Sequence, residues 1–234
     1  MSNKPPASQS PNSAIAAFVA KAKALEHLPA QASVHRLIFG LDATASREAT
    51  WDQASHIQHG MFESVAKQQR LAIQLCYYRG FRELKASHFV SDAEDLRRLM
   101  QAVRCQGGHT QIQRFLKHAL RQHQQSPIKA VIFIGDAIEE SVDDLCALAG
   151  TFGLRQVPLF LFHEGGDQGV GNAFRSMAKL SGGAYLPFDL TSPNELRQLL
   201  AGVAAYATGG HTALSALRQH QPRLQRLSEQ LTSE

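Results

Sequence analysis

The stretch RLIFGLDATAS, residues 36 to 46, decides the fold, because an apolar run ends there in a carboxylate followed by two hydroxyls. Four more short apolar runs follow along the chain: LAIQLCYY (71 to 78), KAVIFIGD (129 to 136), VPLFLF (157 to 162) and AYLPFD (184 to 189). Near-continuous Leu, Ile, Val and Phe suit strands buried on both faces of a parallel sheet, and the stretches between them are long enough for crossover helices. Helices are expected over Trp51 to Gln68, Asp92 to Cys105, Gln111 to His123, Ser141 to Phe152, Gly171 to Leu180 and Pro193 to Tyr206. The fold class is therefore α/β, a doubly wound central sheet flanked by helices.

Working outward, residues 1 to 12 (MSNKPPASQSPN) have the composition of a disordered tail. Residues 13 to 33 read as an Ala-rich N-terminal helix, with Ile15, Phe18, Val19 and Leu25 at roughly helical spacing. The main domain spans 34 to 207, and 208 to 234 form a C-terminal helical tail that opens on Gly209 and Gly210 and is interrupted at Pro222. Leu217, Leu224 and Leu231 fall seven apart, but Gln221 and Ser228 between them are polar, which speaks against a coiled coil. The tail is expected to pack on the domain or on a partner in preference to hanging free.

Composition sets outer bounds. With 234 residues, 44% hydrophobic and 19% charged, the chain suits one compact domain with short appendages, and disorder throughout is excluded. Its three cysteines, Cys76, Cys105 and Cys146, are widely spaced and never arranged as CxxC, so a disulfide framework and a thiolate zinc site are both disfavoured and a reducing cytoplasm fits best. The apolar run Ala14 to Ala20 is closed by Lys21, well short of the ~18 to 20 residues of a membrane span. It also lacks the flanks of a signal peptide. No membrane association is expected.

Ligands of open parallel sheets sit beyond the carboxyl ends of the strands. Just after the first run come Asp42, Thr44 and Ser46; the Gly107-Gly108-His109-Thr110 loop delivers a further hydroxyl; and KAVIFIGD ends in Asp136. Asp42, Thr44, Ser46, Thr110 and Asp136 are all hard oxygen donors expected on loops at one edge of the sheet. Few and mostly neutral ligands of this kind match Mg2+ or Mn2+, which keep water in part of an octahedral shell. An open position on such a metal would take water or a carboxylate from a bound partner.

The order Asp-x-Thr-x-Ser, then a Gly-preceded Thr, then an Asp after an apolar strand resembles the metal-ion-dependent adhesion site (MIDAS) of von Willebrand factor A (VWA) domains. The resemblance covers about Val34 to Ala207. It implies a mostly parallel sheet with one short antiparallel edge strand, placed near Ala86 to Val90. It also implies that Thr44 and Ser46 ligate the metal directly, Thr110 directly or through water, and Asp42 and Asp136 mainly through water. Two departures stand out: Thr44 occupies a position that is usually Ser, and Gly135 and Ala137 flank Asp136 where the family commonly has a hydroxyl residue and a Gly. Stand-alone intracellular bacterial members often work beside ATPases or chaperone-like complexes, so the resemblance implies a protein partner of that kind.

Competing motifs carry less. GGDQGVG (165 to 171) follows a strand and precedes a helix, but its order is the reverse of GxGxxG, so it reads as a flexible βα loop near the metal edge. LDATAS and FIGDAIEE superficially resemble the acidic motifs of haloacid-dehalogenase-like phosphatases. That chemistry needs a second Asp two residues after the first, where this chain has Thr44. The eleven histidines are scattered and form no HExxH; His109, beside Thr110, either contacts an acidic partner or is an ordinary exposed loop residue. Trp51 packs the first helix or shields the site.

The net charge of +4 is unevenly distributed. Arg97 to Ala130 holds seven basic residues and no acid, leaving the rest of the chain net negative by three, whereas Asp136 to Asp144 holds five acids and no base. Either basic helices flank the metal edge and attract an acidic partner, or the two segments are solvated neighbours that neutralise each other. Nucleic acid is disfavoured, since Phe115 is the only aromatic residue in the basic stretch and no recognition motif is present. The expectation is a cytoplasmic bacterial binding module, not an enzyme, whose metal coordinates an acidic side chain of a partner. A metal-dependent phosphatase-like hydrolase using Asp42 and Asp136, and a structural module with an empty site, are the alternatives.

Overall fold

The computed structural model describes residues 34–48, 71–188, 193–219 and 224–232. The expected tail over 1 to 12, the helix over 13 to 33, the helix from Trp51 to Gln68 with its Trp51 and the break at Pro222 lie outside them. The first apolar run forms strand β1 (His35–Asp42), followed by β2 (Leu71–Arg79) and β3 (Glu83–Val90), then helices α1 (Ala93–Gln101) and α2 (Ile112–Gln125). Beyond these come β4 (Ala130–Gly135), α3 (Val142–Leu154), β5 (Leu159–Glu164), α4 (Gln168–Leu180), β6 (Ala184–Phe188), α5 (Pro193–Arg218) and α6 (Gln225–Thr232). The strands make one six-stranded sheet in the order β3-β2-β1-β4-β5-β6. All neighbours are parallel except β2 and β3, so the antiparallel edge strand is present and begins three residues earlier than expected.

Side-chain alternation divides the interior into two cores, one on each side of the sheet. Leu37, Phe39 and Leu41 of β1 and Ile132 and Ile134 of β4 join Leu96 and Met100 of α1 and the apolar face of α5. Ile38 of β1 and Val131 and Phe133 of β4 meet Phe115 of α2, Leu145 and Phe152 of α3 and Phe174 and Met177 of α4. Leu214, Leu224, Leu227 and Leu231 are buried in the first core, and Gln230 of α6 exchanges two hydrogen bonds with the Tyr185 backbone, at 2.8 and 3.0 Å. The helices beyond Ala207 thus pack on the sheet itself.

Among the element boundaries that differ from expectation, three have a clear local reason. Helix α1 ends at Gln101 and not at Cys105, because Val103 is drawn into the core and Gln106 forms a parallel bridge with Thr44. Helix α4 starts at Gln168 and not at Gly171, so Gly169 of the expected loop is helical; the Asp167 carboxylate caps it by accepting the Val170 N–H at 2.9 Å. The chain stays helical through Gly209 and bends at Gly210, whose φ of 62° lies in the left-handed region.

Because β1 is central, its one glycine sets how closely the second layer packs. A Cβ on Gly40 would lie 2.3 Å from the Phe115 ring, which is itself held against Phe133 with ring centroids 5.4 Å apart. Gly40→Ala is expected to destabilise the fold by roughly 1–3 kcal/mol through overpacking. Urea unfolding measures this, and adding Phe115→Leu should restore part of the loss.

Candidate metal centre

The sheet order reverses direction between β1 and β4, and at such a switch point the loops after two adjacent strands diverge and leave a crevice. Asp42 ends β1 and Asp136 directly follows β4. A Cβ added to Gly135 would come within 3.6 Å of the Asp42 Cβ, so the two acidic positions are close neighbours.

Asp42 is fully buried. Its Oδ1 accepts the Thr44 N–H at 2.8 Å, its Oδ2 accepts the Tyr78 hydroxyl at 2.8 Å, and its carbonyl accepts Arg47 Nη1 at 2.8 Å. Burial raises the Asp42 pKa above the ordinary carboxylate value, while the hydrogen bonds from Thr44 and Tyr78 and the charge of Arg47 pull it back down. Beside Asp42, the Tyr78 phenol is pushed far up by its own burial and then by the carboxylate, so it remains a donor. Arg47, also buried, pairs with Glu164 at the end of β5 at 2.7 Å and ties the first loop across the sheet edge. The resulting turn places the Thr44 and Ser46 hydroxyl oxygens 3.1 Å apart, with Thr44 buried and Ser46 exposed.

Backbone contacts stitch the second loop to the first. The Gln106 N–H donates to the Ala43 carbonyl at 3.1 Å, and the His109 N–H donates to the Gly80 carbonyl at 3.3 Å. Gly108 permits this approach, since a Cβ there would lie 2.0 Å from the Gly80 oxygen. The buried Gln111 adds donations from Nε2 to the carbonyls of Gly80 at 3.1 Å and Arg79 at 3.2 Å.

The second and third loops are joined reciprocally. The Thr110 N–H donates to Glu139 Oε2 at 2.8 Å, and the Glu139 N–H donates to Thr110 Oγ1 at 2.9 Å. Glu140 caps α2 by accepting the N–H groups of Ile112 at 2.9 Å and Gln113 at 2.7 Å, a favourable place for negative charge. Asp136 is half-buried, and its Oδ1 is buried without a hydrogen-bond partner. An oxygen in that condition carries a desolvation cost unless a donor, a water or a cation meets it. On the adjacent strand, His163 pairs with Gly135 in register and bonds the Tyr185 hydroxyl through Nδ1 at 3.0 Å, while its buried Nε2 has no partner. Burial lowers the His163 pKa; Asp167 and Asp136 oppose that shift and Arg175 adds to it.

These donors suit a small hard cation. Thr44, Ser46 and Thr110 supply three neutral hydroxyl oxygens, Asp136 has an oxygen to spare, and Asp42 has committed one lone pair on each oxygen to a donor. Among the described residues no three His, Cys, Asp or Glu side chains gather to hold a metal, so the hydroxyls would have to carry the coordination. Asp42 closes strand β1, and Thr44, Ser46, Thr110 and Asp136 lie on loops that the structure binds to one another. The contributors missed from sequence are Tyr78, Arg47 with Glu164, Glu139, Glu140 and His163. Only the two glutamates had left a trace there, as members of an acidic run.

No family model and no characterised protein matches this chain by sequence. The three-dimensional structure does resemble solved structures. The SpRpn10 VWA domain superposes with a TM-score of 0.57 at 11% identity, covering 70% of this chain and 95% of that one. A von Willebrand factor type A protein from Catenulispora acidiphila gives 0.59 at 14%, over 74% of this chain and 43% of that one. The vWF domain of the type V pili tip protein Mfa5 from Porphyromonas gingivalis gives 0.54 at 12%, over 75% and 95%. With its six-stranded, mostly parallel sheet between two helical layers, the chain has the fold of a von Willebrand factor A domain.

Proposed function

We propose that this protein is a metal-dependent protein-binding module, in which Thr44, Ser46 and Thr110 hold Mg2+ or Mn2+, with Asp42 and Asp136 behind them, and a partner contributes an acidic side chain. The observation that carries this reading is the unpartnered, buried Asp136 Oδ1, directly after Gly135, whose position abuts Asp42. When bound, the metal supplies a Lewis-acidic point that accepts a carboxylate oxygen from outside.

The chain's own residues prepare that point. Tyr78 and the Thr44 amide fix the Asp42 carboxylate, so its charge is offered in one orientation. Glu139 orients the Thr110 hydroxyl by donating its N–H to it, leaving the hydroxyl proton and a further lone pair for other neighbours. With mostly neutral ligands the bound cation keeps an uncompensated positive charge, which draws a carboxylate. The phosphatase alternative is disfavoured because Asp42 is fully buried with both oxygens engaged, a poor placement for a nucleophile, and Thr44 stands where a second acid is required.

A cytoplasmic setting belongs to the same proposal. It is supported by three cysteines that form no disulfide, with the buried Cys76 thiol pushed up to about 12 and so kept unreactive. Among the described residues no helix is long and apolar enough to cross a membrane.

Two measurements test the metal reading. Saturating Mg2+ or Mn2+ should raise the melting temperature by roughly 5–10 °C, as expected for a ligand at about a hundred times its Kd acting on a chain of this size. The Thr44→Ala, Ser46→Ala double variant should show no such rise, and an unresponsive wild type sinks the reading. Tyr78→Phe removes one hydroxyl from the carboxylate's support; it should cost about 1.5–3 kcal/mol in urea unfolding without metal, and calorimetric titration should show weaker Mg2+ binding.

A further inference from the structure

Resting on that reading, we infer that the Gly80 to Arg82 turn and the His109 loop together form a docking platform for an acidic segment of a partner protein that carries an apolar side chain near its metal-binding carboxylate. Phe81, at the tip of this turn, is 73% exposed, and its ring packs edge-on to that of His109 with centroids 5.3 Å apart. His109 immediately precedes Thr110, one of the proposed metal ligands, so the aromatic pair stands directly beside the candidate centre.

A single exposed Phe is ordinary on a protein surface. This one is distinguished by its support and its surroundings. The turn is clamped by the His109 N–H and the Gln111 side chain, both donating to the Gly80 carbonyl, and by the backbone approach that only Gly108 allows. The ring is thus presented on a fixed base, which lowers the ordering cost of binding.

The electrostatics select the partner. Arg82, Arg104 and Arg114 are exposed: Arg82 lies in the turn, Arg114 donates to its carbonyl, and the Arg104 carbonyl accepts from Arg79 at 2.9 Å while the Arg104 guanidinium bonds the Val103 carbonyl at 2.9 Å. Among the described residues none of these three arginines forms an ion pair, whereas Arg79 is matched by Glu83 at 2.9 Å. Glu83 itself is held down to about 2 by hydrogen bonds from Arg79 and Lys85 and so is already spent on its own neighbours. Glu139 touches His109 at 3.1 Å, and Glu140 is turned onto the N–H groups of Ile112 and Gln113. An exposed aromatic pair on a turn that carries Arg82 and holds the Arg114 guanidinium, neither of them in an ion pair among the described residues, complements a segment with one apolar anchor and several acids.

The test uses a displayed library of random peptides with a fixed central Asp, selected on the full-length protein in Mg2+ and eluted with EDTA. Enriched peptides are expected to carry an apolar residue at a constant offset from the Asp and additional acids. Their affinity should fall about tenfold or more in Phe81→Ala, while remaining Mg2+-dependent and with the melting temperature unchanged. Arg82→Glu should weaken binding several-fold and flatten its salt dependence. If the peptides need Asp and Mg2+ but show no apolar preference and bind Phe81→Ala equally well, the platform is refuted and the metal reading stands. If no peptide is enriched, or binding survives EDTA and the Thr44→Ala, Ser46→Ala double variant, the metal reading fails and the platform with it. Concentration-dependent dimerisation of the protein alone that is lost in Phe81→Ala, or binding of a single-stranded oligonucleotide lost in the same variant, would assign the surface to a second copy or to nucleic acid and overturn the proposal.

Discussion

Everything at this edge of the molecule depends on keeping the Asp42 carboxylate buried. A charge without water is costly unless hydrogen bonds and opposite charge replace the solvent. Here the replacements come from the Thr44 amide, the Tyr78 hydroxyl on the neighbouring strand and the Arg47 guanidinium at the Asp42 carbonyl. Each also dictates shape. The Thr44 contact curls the chain after β1, the Tyr78 contact fixes β2 against it, and Arg47, bonded onward to Glu164, joins the turn to β5. The hydroxyls of Thr44 and Ser46 are neighbours because that turn is closed.

A second consequence is that the three loops form one body. The Gln106 amide holds the second loop to the first, and Glu139 and Glu140 hold the third loop to the second, partly by satisfying the open N–H groups of α2. A site that is to bind a cation with few charged ligands benefits from such bracing, because neutral oxygens attract the ion weakly and cannot afterwards be ordered at low cost. Asp136 Oδ1 and, on the adjacent strand, His163 Nε2 are buried without a partner, and together mark where this network is incomplete.

Much of this was legible in the sequence, for a physical reason. Strands buried on both faces must be continuously apolar, so β1, β4 and β5 announce themselves, and polar residues at the ends of such runs stand out as Asp42 and Asp136 do. What composition and period could not show was long-range polar pairing. Tyr78 reads as one more aromatic in an apolar strand, and only the β1–β2 register places its hydroxyl on Asp42. Arg47 reads as a surface base, yet it is buried by a partner 117 residues away. Likewise GGDQGVG reads as a loop because glycine is a poor helix former, but the Asp167 cap and the close packing of Gly171 on Tyr185 and His163 outweigh that preference.

The uneven charge looked, in sequence, like a choice between basic helices attracting a partner and faces that cancel one another. The structure divides it residue by residue. Arg97 and Arg98 at the start of the basic stretch pair with Glu94 and Asp95 one turn earlier in α1, and so belong to a self-neutralised surface helix. At the other side, Glu139 and Glu140 of the acidic stretch are turned back onto Thr110 and the start of α2, where they serve the loops. After these local cancellations, Arg104, Arg114, Lys117, Arg121 and Lys129 of the same stretch form no ion pair among the described residues; of these, Arg114 donates to the Arg82 carbonyl, and the Arg104 carbonyl accepts from Arg79 just before the turn that carries Phe81. The part of this surplus that bears on the candidate site is local: Arg82 lies in the turn of the exposed Phe81, and Arg114 is fixed to that turn through the Arg82 carbonyl.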